Sequence, residues 1–287
     1  LSFLFVLGLT VGSFLNVVIY RYPIMLTSRW KQECQEFLAE QEKKDNAPEN
    51  SESDKKQPFN LATPRSTCPH CEHQITAVEN IPVLSWLILQ AKCSNCKGEI
   101  SARYPLVELF TGIISLIVGF YFGVSLLTLS LLFLCWSLIA LSFIDFDTQL
   151  LPDDITLPLL WVGLLASLTG ITFISIQDAL IGAMAGYLSL WSVFHIFRIL
   201  TGKEGMGYGD FKLFAVLGAW MGWQMLPLIL FLSAIVGAIF GISLILILGR
   251  DKNIPIPFGP YLAAAGFVAL IWGKQLTDIY LSGTGLN

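Results

Sequence analysis

Charge is scarce in this chain. Asp, Glu, Lys and Arg together make up 13% of its 287 residues, and only three histidines are present. With 54% hydrophobic residues and a mean hydropathy of +0.67, this composition excludes an ordinary soluble enzyme and predicts an integral membrane protein. A basic face is lacking as well: the net charge is -4 and the pI is near 5.4, so nothing supports a nucleic-acid partner. No internal repeat stands out, and no glycine-rich strand-to-helix nucleotide motif is visible. The first segment, 1–20, has neither a basic n-region nor a small-residue cleavage site. It is therefore expected to be a retained transmembrane helix and not a cleaved signal.

What the chain does have is apolar runs long enough to cross about 30 Å of hydrocarbon at 1.5 Å per residue. They fall near 1–20, 105–123, 126–144, 155–175, 178–199, 211–223, 226–249 and 259–276. The expected fold is thus all-α and polytopic, with about eight transmembrane helices. Three parts are predicted: the first helix (1–20), a cytoplasmic segment (21–103) and a seven-helix membrane domain (104–287). Lys and Arg mark cytoplasmic loops, and every one of them except Lys274 falls at helix ends or loops of the same parity. That places both termini outside and the segment 21–103 inside. Within it, Gln35 to Asn60 has almost nothing to bury and is expected to be disordered or a surface excursion.

Six cysteines are present, but they do not form a disulfide framework. Cys68-Pro-His-Cys71 and Cys93-Ser-Asn-Cys96 are two Cys-x-x-Cys knuckles, each able to aim two thiolates at one ion. Together they predict a closed, structural four-sulfur Zn2+ site between the first two membrane helices. A redox pair or chance spacing are the alternatives, and His70 or His73 could replace a cysteine as ligand. Cys34 and Cys135 read as incidental or packing residues.

Two carboxylates sit where a membrane protein tolerates them least. Asp145 closes the apolar run 126–144, and Asp210 opens another, 211–223, in Gly207-Tyr208-Gly209-Asp210. Charge near bilayer depth is expensive and usually functional, and two facing aspartates can share one proton, as amide hydrolysis by water requires. The pair therefore predicts an intramembrane aspartyl protease acting at the cytoplasmic face. Asp145 is preferred over Asp147 because it lies directly against the apolar span. Asp153 and Asp154, after Pro152, fit the start of the next helix. The plainer reading of Asp210 is a helix N-cap.

Other polar residues stay open. Glu108 either binds a substrate amine or snorkels to the interface, and Asn16 and Arg21 either line the site or belong to a packing face with an interfacial Arg. Pro257-Phe258-Gly259-Pro260-Tyr261 looks like a rigid turn carrying an interfacial aromatic, and His195 reads as packing.

Taken together, these motifs resemble the bacterial type IV prepilin peptidase family. The resemblance rests on Gly12-Ser13-Phe14-Leu15-Asn16, the four cysteines with Glu79-Asn80-Ile81-Pro82 between them, Arg103-Tyr104-Pro105-Leu106-Val107-Glu108, and Ile144-Asp145 through Leu150-Leu151-Pro152-Asp153. It extends through Thr201 to Asp210 and Pro257 to Tyr261. It implies catalytic roles for Asp145 and Asp210 and a metal site at Cys68, Cys71, Cys93 and Cys96. It further implies cleavage of prepilin and pseudopilin leaders at the inner (cytoplasmic) membrane, then N-methylation of the new N-terminal residue with S-adenosylmethionine. The contacts to S-adenosylmethionine are not legible. A proton-coupled transporter using Asp145 and Asp210 as a relay, or a zinc-bearing factor that only docks pilin precursors, are the competing functions. The clustering of acids at one face speaks against transport.

Overall fold

Long apolar stretches broken by Gly, Pro and Ser-Asp signals become helices in the computed structural model, which describes residues 1–45, 59–203, 205–248 and 256–284. Among these residues the chain forms α1 (Ser2–Asp45), α2 (Leu84–Ile88), α3 (Arg103–Phe122), α4 (Leu126–Thr148), α5 (Asp153–Leu168), α6 (Ile176–Thr201), α7 (Tyr208–Met221), α8 (Leu226–Leu248) and α9 (Gly259–Thr284). The described residues contain no strand beyond two isolated bridges. Five helices are long and apolar enough to cross a membrane: Ser2–Gln41, Arg103–Phe122, Leu126–Thr148, Ile176–Thr201 and Trp223–Ser243. The fold is thus helical with at least these five candidate spans. The other three expected spans are helices too, but α5 and α7 have only 16 and 14 residues. α9 carries Lys274, Gln275 and Asp278 in its second half.

Contacts divide the chain into two units, Phe5–Ile113 and Leu1–Leu4 with Ile114–Asn287, with the border inside α3. In the first unit α1 and α3 approach closely, because a Cβ at Gly12 would stand 2.7 Å from the Glu108 Cα. Gly112 is filled on its open side by Leu9 and Phe5. One expectation changes here. α1 does not stop near Tyr20 but continues to Asp45 through Pro23, so Gln35–Asp45, expected to be disordered or a surface excursion, is helical. Straight-chain Gln, Glu, Lys and Leu are good helix formers, and Gln32 Nε2 donates to Glu36 Oε1 one turn on, at 2.8 Å. The rest of that acidic and basic run, 46–58, lies outside the described residues, as do Arg250 and Lys252.

In the second unit α7 is the central element. Every residue from Asp210 to Met221 except the half-buried Lys212 is buried, the pattern of a helix surrounded on all sides. At 1.5 Å per residue it is only about 21 Å long. Glycines permit the crowding: a Cβ at Gly182 of α6 would collide with the Gly218 carbonyl of α7, and one at Gly186 would meet the Phe214 carbonyl at 2.7 Å. This is small-residue packing of the kind membrane helices use, where close backbone approach and van der Waals contact hold helices together. On the α5 side Gly163 makes room for the Trp220 indole, whose Nε1 donates to the Leu159 carbonyl at 2.9 Å. On the α9 side Gly266 accepts Leu217. Ser125 and Ser175 cap α4 and α6 by accepting the Thr128 and Asp178 N–H groups.

Gly182→Leu places a branched side chain against the α7 backbone and is expected to destabilise the unit by about 2 to 3 kcal/mol. This would be read as a fall in Tm of the detergent-solubilised protein. Ile181→Leu next to it, on the exposed face, is expected to leave Tm unchanged.

Candidate active site and thiolate cluster

A carboxylate at the end of a helix faces unsatisfied carbonyls, and Asp145 is in that position, in the last turn of α4. It is 5% exposed, so its charge must be met by donors within the protein. The donor is the backbone N–H of Gly259, the first residue of α9, at 3.0 Å from Asp145 Oδ2. A helix N-terminus is a natural anion site, with free N–H groups and the positive end of the dipole. The approach requires glycine, since a Cβ there would stand 2.6 Å from the same oxygen.

Asp210 is held in the complementary way. Gly207 is the N-cap of α7 and Asp210 occupies the first turn, so Asp210 is not the cap that the plainer sequence reading made it. Its Oδ2 accepts the Gly207 N–H at 3.2 Å. Its Oδ1 is buried without a hydrogen-bond partner, and the residue is 6% exposed. An unsatisfied buried carboxylate oxygen costs a desolvation penalty of about 1 to 3 kcal/mol or more. It is the kind of group a substrate or water would satisfy.

Leu151 links the two acids. A Cβ at Gly209 would meet the Leu151 Cβ at 2.6 Å, and one at Gly259 would meet Leu151 Cδ1 at 3.3 Å. The glycine before Asp210 is therefore required by the packing of this chain's own leucine. The two carboxylates also interact electrostatically. Lys212, one turn into α7, reaches back to Asp153 at 2.6 and 2.7 Å, and this pins the start of α5 to the start of α7. Asp147 is exposed. Sequence reasoning missed Gly259, reading its segment as a turn with an interfacial aromatic. The aromatic, Tyr261, instead packs against Phe240 at 5.8 Å between ring centres.

The four knuckle cysteines converge. Their sulfurs all lie within 4.8 Å of one another, with Cys68 and Cys96 at 3.8 Å and Cys71 and Cys93 at 4.0 Å. A tetrahedral ion with Zn–S near 2.3 Å demands sulfurs about 3.8 Å apart, so the donor set fits such an ion. The two knuckles repeat one backbone design. Cys68 N–H donates to the His73 carbonyl and Ile75 N–H to Ser66, just as Cys93 N–H donates to Gly98 and Ile100 N–H to Ala91. Glu72 and Lys97, each following a second cysteine, share a positive φ of 56° and 59°. This local repeat escapes a sequence scan because only the cysteines recur. Backbone N–H groups of Cys96 and Asn95 draw the Cys93 thiol down to about 6, toward the thiolate a metal takes. His73 Nε2 instead sits 3.4 Å from Glu79 Oε1, and His70 packs against Gly98. Glu79 is drawn down to about 2 by the Ser94 hydroxyl and the Thr76 N–H and hydroxyl, so it ties one knuckle to the other.

The remaining polar residues have local partners. Glu108 is buried and accepts the Val83 N–H at 2.8 Å. Asn16 Nδ2 donates to the Tyr104 carbonyl at 3.1 Å. Arg21 is buried, donates to the Asn60 carbonyl and covers the Phe59 ring. His195 bonds the Trp191 carbonyl within α6 and stacks on its ring.

The prepilin leader peptidase/N-methyltransferase of Aeromonas hydrophila is 54% identical over 281 residues, covering 98% of this chain and 93% of that protein. The chain belongs to the prepilin leader peptidase/N-methyltransferase family. The protein of the same name from Pseudomonas aeruginosa is 52% identical over 98% of the chain and 93% of its own length. That of Legionella pneumophila is 43% identical over 96% and 92%. A bacterial peptidase A24 N-terminal domain matches residues 6–122, which hold α1, both knuckles and α3. The type IV leader peptidase family matches residues 132–242. That stretch includes Asp145 and Asp210 but stops short of Gly259. No solved structure matches the chain significantly.

Gly259→Ala drives a methyl group into the Asp145 carboxylate and is expected to cost about 1 to 3 kcal/mol, read as a lowered Tm. Purified protein is expected to carry one zinc per chain by elemental analysis. Cys93→Ser is expected to lose most of it, because three thiolates leave the tetrahedron open.

Proposed function

We propose that this chain is a multi-pass membrane aspartyl endopeptidase. It removes the leaders of type IV prepilins and related pseudopilins and then N-methylates the new N-terminus. The observation that carries the peptidase half is the pair of buried carboxylates, Asp145 and Asp210, each fixed by one backbone N–H, with Leu151 packed against the neighbouring Gly209 and Gly259. Two aspartates in one water-poor site share a proton. The ionised one takes a proton from water as that water attacks the scissile carbonyl. The protonated one donates its proton to the developing oxyanion. As the C–N bond breaks, the proton taken from water passes from the first carboxylate to the leaving amine, and the second carboxylate recovers a proton from the gem-diol, which restores the shared-proton pair. The two act as one coupled unit, so neither role belongs to one residue.

The one-sided distribution of Lys and Arg supports cleavage at the cytoplasmic face of the bacterial inner membrane. It also supports a count of eight spans, with α5, α7 and α9 crossing alongside the five longer apolar helices. The parts proposed are a first helix 1–20, a cytoplasmic segment 21–103 and a membrane domain 104–287. The thiolate cluster holds a structural Zn2+ in this reading, since four cysteines leave no open coordination position for chemistry. S-adenosylmethionine is the methyl donor the family's second activity calls for. Its candidate region is the segment 59–103, where a cavity of ≈ 340 Å³ is bordered by Arg65, Thr76 and Asn80. Arg65 there offers a cation for the donor's carboxylate.

Asp145→Asn and Asp210→Asn keep the shape of the site and remove the shared proton and charge. Each is expected to lower leader cleavage of a synthetic prepilin by at least about a thousandfold, measured by mass spectrometry with the purified enzyme. Normal cleavage by either variant would falsify the assignment. With S-adenosylmethionine added, the wild-type product is expected to gain the mass of one methyl group.

A further inference from the structure

Between the two knuckles lies a stretch that does not suit a water-exposed module. From Asn80 to Ala91 the chain carries no charge, reading Asn-Ile-Pro-Val-Leu-Ser-Trp-Leu-Ile-Leu-Gln-Ala, with Glu79 before it and Lys92 after it. Three of its large side chains point outward: Leu84 and Leu87 are each 57% exposed and Ile88 is 78% exposed, while Val83, Trp86 and Leu89 are half-buried. Isolated exposed leucines are normal on soluble proteins, but a contiguous apolar surface marks a site of contact.

The stretch is fixed in place. Val83, with a positive φ of 60°, donates its N–H to the buried Glu108 carboxylate of α3 at 2.8 Å. Trp86 Nε1 donates to the Ile100 carbonyl at 3.1 Å. An apolar groove of ≈ 380 Å³ then runs between this stretch and the two long helices, lined among others by Ile81, Val83, Phe5, Leu9 and Leu109. The register of those helices sets the depth. Leu109 lies six residues beyond Arg103, and Leu9 lies twelve residues before Arg21. At 1.5 Å per residue these are about 9 Å and about 18 Å inward from the charged ends of α3 and the apolar part of α1. Leu109, about 9 Å in, lies within the roughly 5 to 10 Å to which interfacial membrane segments sink, while Leu9 lies deeper, among the acyl chains.

We propose that the inter-knuckle stretch, residues 81–89, dips into the cytoplasmic leaflet, so that lipid acyl chains cover Leu84, Leu87 and Ile88 and fill the groove beside α1 and α3. Continuity decides the occupant. The groove opens onto the exposed apolar faces of two candidate membrane spans, which carry Val6 and Phe110 at 58% and 48% exposure. Lys92, which directly follows the stretch, and Arg103, which opens α3, are both exposed, and anionic headgroups attract such cations. The segment is then cytoplasmic at its thiolate cluster and membrane-embedded at its tip. This inference rests on α1 and α3 being membrane spans and is independent of the cleavage chemistry.

Photo-crosslinking of the full-length enzyme in phosphatidylethanolamine and phosphatidylglycerol vesicles tests it. The variants are Leu87→p-benzoylphenylalanine and Ile88→p-benzoylphenylalanine, with Leu84→p-benzoylphenylalanine as a third reporter. Phe120, exposed on α3 within its span, serves as the lipid-facing reference, and Phe37, exposed on the polar half of α1, serves as background. Zinc content equal to that of the unsubstituted enzyme certifies the module in each variant. After irradiation, intact-mass spectra are expected to show lipid adducts at positions 84, 87 and 88 at yields like those at Phe120 and several-fold above those at Phe37. Yields at the Phe37 level overturn the proposal. So does replacement of lipid adducts by peptide adducts when a prepilin peptide is added, which would make the groove a substrate site.

Discussion

The burial of one carboxylate organises the membrane domain. Asp145 ends a helix, where carbonyls point at it, and so gains nothing from its own element. It must borrow a positive end from elsewhere, and the N-terminus of α9, 114 residues along the chain, provides it. That demand fixes several other features. α9 must begin with a residue lacking a Cβ, because the carboxylate lies 2.6 Å from where one would be. The N-terminus of α9 must lie at the same end as the close of α4. Leu151 must then fill the space beside Gly259, which in turn sets how near the Gly207–Asp210 turn can come. Thus the geometry around the second aspartate is partly a consequence of how the first is satisfied.

The rest of the domain keeps that arrangement rigid by wrapping α7. Lipid tails are as apolar as leucine, so helices in a bilayer gain little from burying apolar surface and depend on close contact. The Gly182–Gly218 crossing brings backbone against backbone, and Gly163 and Gly266 admit a tryptophan and a leucine from α7 on two further sides. With α7 held between α5, α6 and α9, the first turn that carries Asp210 has little freedom. The ion pair from Lys212 to Asp153 braces the same turn from outside. A site whose two acids come from different helix ends needs such bracing, since small displacements of catalytic groups cost large factors in rate.

Much of this was legible in composition and motif. The helical class follows from long apolar runs, and the two buried acids were singled out because charge beside an apolar run is costly. The cysteine pairs announced their convergence through spacing alone. What escaped reading were relations across the chain. Gly259 looked like part of a turn, because nothing local reveals that its N–H is needed by a carboxylate so far away. The continuation of α1 to Asp45 is hidden because a segment with almost nothing to bury reads as disorder or a surface excursion. A charged segment of good helix formers can stay helical without burying anything once a membrane helix has nucleated it.

The knuckles show how the same residue pattern can serve two solvents. A small metal-stapled module lacks the core to hold a long apolar insertion, so its inter-knuckle stretch must find cover elsewhere. Here both ends of that stretch are anchored by matched turns: the Cys68–His73 and Ser66–Ile75 hydrogen bonds on one side, and Cys93–Gly98 and Ala91–Ile100 on the other. Two such turns, with their four sulfurs converged within 4.8 Å of one another, form a base from which the intervening residues project. Glu108, buried in a largely apolar helix, is explained by the same arrangement, since its oxygen takes the Val83 N–H just before α2. A polar residue retained at cost inside an apolar helix thus marks where the module meets the membrane helices, and satisfying Val83 holds the stretch at that depth.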